Sequence, residues 1–148
     1  MTNPVELYAQ LNAAFDRRAG PQARTLAQRL LPLAPRHPGV HYIAGIANME
    51  LREFGPALMH LQRATMLEPG RVDFIAQFAK ALVLSRKNRD AKLVADQAIK
   101  LVPTDPATLD TLCVIYTQVG EYATAATVFR QATSLAPQRA PFRFNLAT

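Results

Sequence analysis

The chain has 148 residues, 49% of them hydrophobic and 19% charged, with a formal net charge of +6. That length and balance suit a helical domain with a continuous core and exclude a disordered polar chain. No apolar window is long enough to span a bilayer, Met1 to Tyr8 show no basic or apolar leader, and one cysteine rules out an internal disulfide framework, so the cytoplasm is the expected compartment.

Asn3, Pro4 and Glu6 read as a cap, a first-turn proline and a reciprocal capping box that open the first helix. Gly20 with Pro21 places a turn glycine before a second helix, and Pro35 ends that helix because proline cannot continue the backbone ladder. The next stretch repeats the arrangement, with Gly55 and Pro56 at its turn and Pro69 at its stop. A third turn falls near Asn88 and a third stop at Pro103. Asp105 with Pro106 opens the fourth stretch, which turns at Gly120 and stops at Pro137. No run alternates with period two, so no sheet is expected.

The four stops, Pro35, Pro69, Pro103 and Pro137, share one spacing, and Leu33, Leu67, Leu101 and Leu135 keep it two places earlier. Small residues hold further columns at the same period: Ala23, Ala57, Ala91 and Ala125; then Ala64, Ala98 and Ala132, with Leu30 in the first copy; and Gly45, Ala79 and Cys113. Small side chains recurring in this way mark places where helices cross closely. The period predicts four repeats, 4–37, 38–71, 72–105 and 106–139, each a pair of antiparallel helices that depends on its neighbours to bury its apolar face. Residues 140–148 read as the opening of a fifth, truncated helix, which suggests a longer parent protein.

This pattern resembles the tetratricopeptide repeat (TPR) family, and the resemblance runs through all four copies. The fourth is the fullest match, with Leu109, Leu112, Cys113, Tyr116, Gly120, Tyr122, Ala125, Phe129, Ala132 and Pro137 in family columns. The family's usual tryptophan at the fourth place is missing; Leu7, His41, Ile75 and Leu109 stand there. The resemblance implies an all-α, right-handed superhelical solenoid whose first helices line a concave wall. It further implies a non-catalytic adaptor or scaffold that holds a peptide or protein segment in that groove. The matching groove positions are Tyr8, Asn12, Tyr42, Ile46, Met49, Gln77, Lys80, Asp110, Thr111, Val114 and Asn145, with Tyr42, Ile46 and Met49 as an apolar anchor. Ile43 and Ile46 have a second reading, packing inward between helices. Family members that clamp a chaperone carboxylate use a basic and amide set; here Tyr8, Asn12, Ile43, Asp73 and Gln77 occupy those places, so such a tail is not the expected ligand.

Other chemistry is not expected. No phosphate loop or catalytic constellation occurs, and no cofactor or metal is implied. Pro38 and Gly39 are expected to interrupt any helix aligning His37 with His41, which leaves the histidines as surface or packing residues. Cys113 sits in a small-residue column and reads as a packed thiol. Arg86, Lys87, Arg89 and Lys92 form the densest basic stretch, but without interleaved aromatics they read as a solvated turn and not a nucleic-acid site. Phe142 to Thr148 resemble a repeat opening in bacterial proteins where such repeats precede a sulfotransferase domain; on that alternative this region selects substrates or partners for an enzyme. Phe142 to Leu146 are also a candidate self-association edge.

Overall fold

The computed structural model describes residues 3–137, and all the regular structure among them is helical: α1 (Pro4–Asp16), α2 (Gly20–Leu30), α3 (Pro38–Glu50), α4 (Phe54–Leu67), α5 (Val72–Leu84), α6 (Asn88–Lys100), α7 (Pro106–Gln118) and α8 (Tyr122–Leu135). The first helix of each pair begins at Pro4, Pro38, Val72 or Pro106, one 34-residue step after another. Residues 138–148, which include Asn145 and the apolar tail, lie outside the described residues.

Helix starts follow the local chemistry. Asn3 Oδ1 accepts from the Val5 N–H at 2.8 Å, and Asp105 Oδ2 accepts from both the N–H and the hydroxyl of Thr108. At α3 the cap is His37, whose Nδ1 accepts from the Val40 N–H at 3.3 Å. Pro38 and Gly39 therefore do not interrupt a helix. They form its first turn, where a proline forfeits no intrahelical bond.

The turns inside the pairs correct the expected placement. Gly20 and Gly55 stand within the first turns of α2 and α4, and Asn88 begins α6. The left-handed residue of each turn is instead Arg18, Arg52, Arg86 or Gly120, with φ of 56°, 61°, 62° and 85°. All four turns share one hydrogen-bond scheme: Ala19, Glu53, Lys87 and Glu121 donate to Ala14, Asn48, Leu82 and Tyr116, closing a Schellman motif at each first-helix end. The chain reverses within three residues, as an antiparallel helix pair requires.

Glycine thus fills a position in the fourth turn that costs an arginine about 1–2 kcal/mol in the other three. Against that gain, glycine adds about 0.5–1 kcal/mol of unfolded-chain entropy. Arg86→Gly is expected to raise stability by about 0.5–1 kcal/mol, read as a higher urea midpoint; a lowered midpoint would contradict the backbone assignment. Val102, at φ 54° before Pro103, carries the same strain with a β-branched side chain, so Val102→Gly should gain at least as much.

The small-residue columns are core. Ala57, Ala64, Ala79, Ala91, Ala98, Cys113 and Ala125 are fully buried, and Ala23 and Ala132 nearly so. The leucine column before the prolines behaves otherwise: Leu33, Leu101 and Leu135 are exposed, so this most regular column marks helix ends and adds little to the core. Ala98→Leu is expected to cost about 1–3 kcal/mol by overpacking, and urea denaturation without loss would contradict the register.

The chain divides into two compact units, one ending at Phe74 and the other beginning at Ile75, so the division falls within α5. The first unit packs Leu7, Leu11 and Ala14 of α1 against Ala23, Leu26, Ala27 and Leu30 of α2 and Val40, Ile43, Ala44 and Ala47 of α3. Leu109, Leu112, Ile115 and Tyr116 of α7 are core residues of the second unit, as are Ala125, Val128 and Ala132 of α8.

Candidate functional site

In the first unit an aromatic row runs across the first helices. The Tyr42 ring stacks on Phe74, with centroids 4.4 Å apart and planes 19° from parallel, and meets Phe15 edge-on at 6.2 Å. The Arg71 guanidinium lies 4.1 Å above the Phe74 ring and is tied to Asp73 through Nε–Oδ1 at 2.9 Å and Nη2–Oδ2 at 2.8 Å. Burial, then the nearby Asp73 charge, pushes the Tyr42 phenol up to about 12. Burial raises the Asp73 carboxyl, but the Arg71 bonds and charge outweigh it and hold that carboxyl below its ordinary value. Asp73 is therefore half of an ion pair and not a bare anion.

Tyr8 lies against His37, with centroids 4.7 Å apart, and Gly39 leaves room for it: a Cβ on Gly39 would stand 3.1 Å from the Tyr8 hydroxyl. Tyr8, Asn12 and Tyr42 are half-buried. Ile46 and Met49 are only 8% exposed and Ile43 4%, so these three residues belong to the core in this conformation. Only Tyr42 of the expected anchor keeps accessible surface. Phe15, His37, Arg71 and Phe74 complete the row; His37 and Arg71 share the last place of their repeats, whereas Phe15 and Phe74 sit at unrelated places that no repeat column announces.

In the second unit, Lys80, Asp110, Thr111 and Val114, all expected groove positions, come together around one hollow of about 180 Å³. Leu84, Ile115 and Gln118 complete its lining. An apolar floor of Leu84, Val114 and Ile115 is thus edged by Lys80, Asp110, Thr111 and Gln118. The α5 helix supplies Lys80 and Leu84 at i, i+4, and α7 supplies Asp110, Thr111, Val114 and Gln118 at helical spacing, so one stripe from each helix faces the hollow. Gln77 is half-buried one turn before Lys80 on α5 and is not part of the lining.

The remaining candidates have structural surroundings. Cys113 is fully buried, its Sγ donates to the Ala125 carbonyl at 3.3 Å, and burial, followed by the Asp110 charge, pushes the thiol up to about 11. Of the basic stretch, Lys92 lies on α6 and pairs with Asp96 at 3.1 Å. His41 and His60 approach each other, Nδ1 to Nδ1, at 3.2 Å, a contact across two helices that spacing along the chain does not reveal. Burial first and His41 second hold His60 below the ordinary histidine value. No helix of the described residues is long and apolar enough to cross a membrane.

No protein-family model matches the sequence, and neither does any curated protein. Solved structures do match. A thermophilic TPR protein of Thermus thermophilus superposes with a TM-score of 0.81 at 20% identity over 96% of this chain and 78% of its own. MamA matches with a TM-score of 0.77 at 19% identity, covering 92% and 80% of the two chains. YrrB, described as a TPR protein with an unusual peptide-binding site, matches with a TM-score of 0.72 at 18% identity, covering 92% and 70%. The fold is therefore the all-α fold of helix pairs that these TPR proteins share. The sulfotransferase resemblance rests on residues outside the described part.

Proposed function

We propose that the chain is a non-catalytic protein-interaction module of the cytoplasm, an adaptor whose four repeats present their first helices to an extended peptide or protein segment. The observation that carries this reading is the α5–α7 hollow, where residues chosen by repeat position converge on an apolar floor with a mixed polar edge. Such a floor accepts one or two apolar side chains, while Lys80, Asp110, Thr111 and Gln118 are placed to bond the peptide backbone. The fold of YrrB, a peptide-binding TPR protein, supports the same use. Tyr8, Asn12 and Tyr42 are a second contact region on the first unit, and Arg71 gives it a cation already paired with Asp73. A chaperone carboxylate remains a poor fit, since that region holds no unshared cluster of cations comparable to a clamp.

The test is selection of peptides from a displayed random library on the full chain, followed by affinity measurements with variants. Val114→Lys is expected to weaken selected peptides at least about tenfold while the circular dichroism stays helical, because a hot spot concentrates affinity in a few contacts. Unchanged affinity in Val114→Lys, with loss in Tyr42→Ala, would move the primary site to the aromatic row. Unchanged affinity in both would refute binding on the first helices.

A further inference from the structure

Two imidazoles meet where α3 meets α4. Nδ1 of His41, in the first turn of α3, lies 3.2 Å from Nδ1 of His60 on α4, with ring centroids 5.4 Å apart. His41 Nε2 stands 2.8 Å from the Pro35 carbonyl, and a carbonyl only accepts, so the His41 proton sits on Nε2. Its Nδ1 is then a bare lone pair, to which the His60 Nδ1–H donates; the other tautomer of His60 would set two lone pairs face to face. The pair thus joins three segments: the loop after α2 at Pro35, the start of α3, and α4 one residue before Leu61, which presses on Gly45.

We propose that His41 and His60 form a pH-operated latch in the first unit, closed while the pair holds at most one proton beyond its neutral state and opened when both imidazoles are charged, so that α4 loosens from α3. The first added proton goes to His60 Nε2, away from the contact. The bond between the Nδ1 atoms survives it and gains the strength of an ionised donor. The second proton finds only Nδ1 of His41. Its arrival sets N–H against N–H between two cations, and the bond is lost.

The surroundings do nothing to steady a doubly charged pair. Arg63 lines the hollow beside it, Arg36 follows Pro35, and His37 is engaged as the α3 cap. The α2 helix carries no acid, Glu50 stands at the far end of α3, and Glu53 and Glu68, which flank α4, are tied to Arg24 and Arg71, as Asp73 is to Arg71. Neither Glu6 nor Asp16 of α1 acts on His60; His41 is the neighbour whose charge does, and burial and then His41 hold His60 below 6.5. A histidine lowered in the fold stabilises it above the unfolded value, and that contribution is lost as pH falls from about 6.5 through the lowered value. In that window the closed latch binds one proton fewer than the open pair, so opening grows by up to about tenfold per pH unit. The hollow, about 320 Å³ with Met59 and Met66 60% and 65% exposed at its wall, gives a released ring room to move without unfolding the unit.

The test is nitrogen-15 NMR of the full chain between pH 7.5 and pH 5. His41 is expected as the Nε2–H tautomer at the upper end, and the two rings should titrate as a coupled pair, the second proton binding at least about tenfold more weakly than the first. Amide exchange, corrected for its intrinsic pH dependence, should show opening around Leu61 rising at least about fivefold from pH 7 to pH 5, while the amides of α7 and α8 hold constant. In His60→Asn the side-chain amide replaces Nδ1 and either donates to His41 or, turned over, accepts from it, so the rise should fall below about twofold. A His41 proton on Nδ1, two rings titrating independently, an equal rise in His60→Asn, or parallel opening of α7 and α8 would each overturn the proposal. The ring titration reads the wild-type chain, so its outcome stands even where His60→Asn folds poorly. None of these readouts involves a peptide ligand.

Discussion

Gly45→Val is expected to destabilise the first unit by about 3 kcal/mol or more, and Gly45→Ala by about 1–2 kcal/mol. By helix propensity alone the alanine change should help, since alanine exceeds glycine in a helix interior by up to about 1 kcal/mol. Packing reverses that sign. A Cβ on Gly45 would lie 2.6 Å from Cγ and 2.8 Å from Cδ2 of Leu61, and 3.2 Å from the Leu61 backbone nitrogen. Leu61 is fully buried on α4, so its side chain has no solvent to swing into, and its backbone nitrogen moves only if the helix moves. Adding Leu61→Ala to Gly45→Ala should recover part of the loss, because the clash and the cavity offset each other. Urea denaturation checks both statements. A Gly45→Ala chain more stable than wild type would show that α3 and α4 do not cross at this point.

Tyr116→Ala is expected to cost the second unit about 3–5 kcal/mol, against about 1–2 kcal/mol for Tyr116→Phe. Tyr116 is 1% exposed and heads the large side chains buried in the core, so alanine leaves a cavity the size of a ring. Phenylalanine keeps that ring and removes only the hydroxyl, which donates to Asp96 Oδ1 at 2.7 Å and ties α7 to α6. Burial first and the Asp96 bond second push this phenol well above its ordinary range. The phenylalanine cost stays modest because Asp96 is partly exposed and retains Lys92 as a partner. Thermal or urea unfolding of both variants separates ring from hydroxyl. Equal losses would mean that the bond to Asp96, and not the packing of the ring, holds α6 to α7.

Much of the helical plan was legible because it repeats. Proline at N1 is as readable at Pro4 and Pro106 as at Pro38, and the small-residue columns are buried since each marks a helix crossing. The turns were less legible. Glycine near a turn suggests the left-handed residue, yet arginine takes that conformation at Arg18, Arg52 and Arg86, because the Schellman hydrogen bonds recover its cost.

The candidate groove residues divide in the same way. Lys80, Asp110, Thr111 and Val114 share a hollow because helical spacing alone puts each set on one stripe of its helix. Ile46 and Met49 have the same spacing but turn to the core, since a helix flanked by both α2 and α4 buries more than one stripe. Periodicity along the chain marked the prolines that open first helices and the small residues that are buried, for these follow from local hydrogen bonding and side-chain size. Only the tertiary structure decided which stripe stays open, and it alone brought Phe15 to Tyr42, Tyr42 to Phe74 and His41 to His60, because those contacts join helices through distances that no spacing in the sequence records.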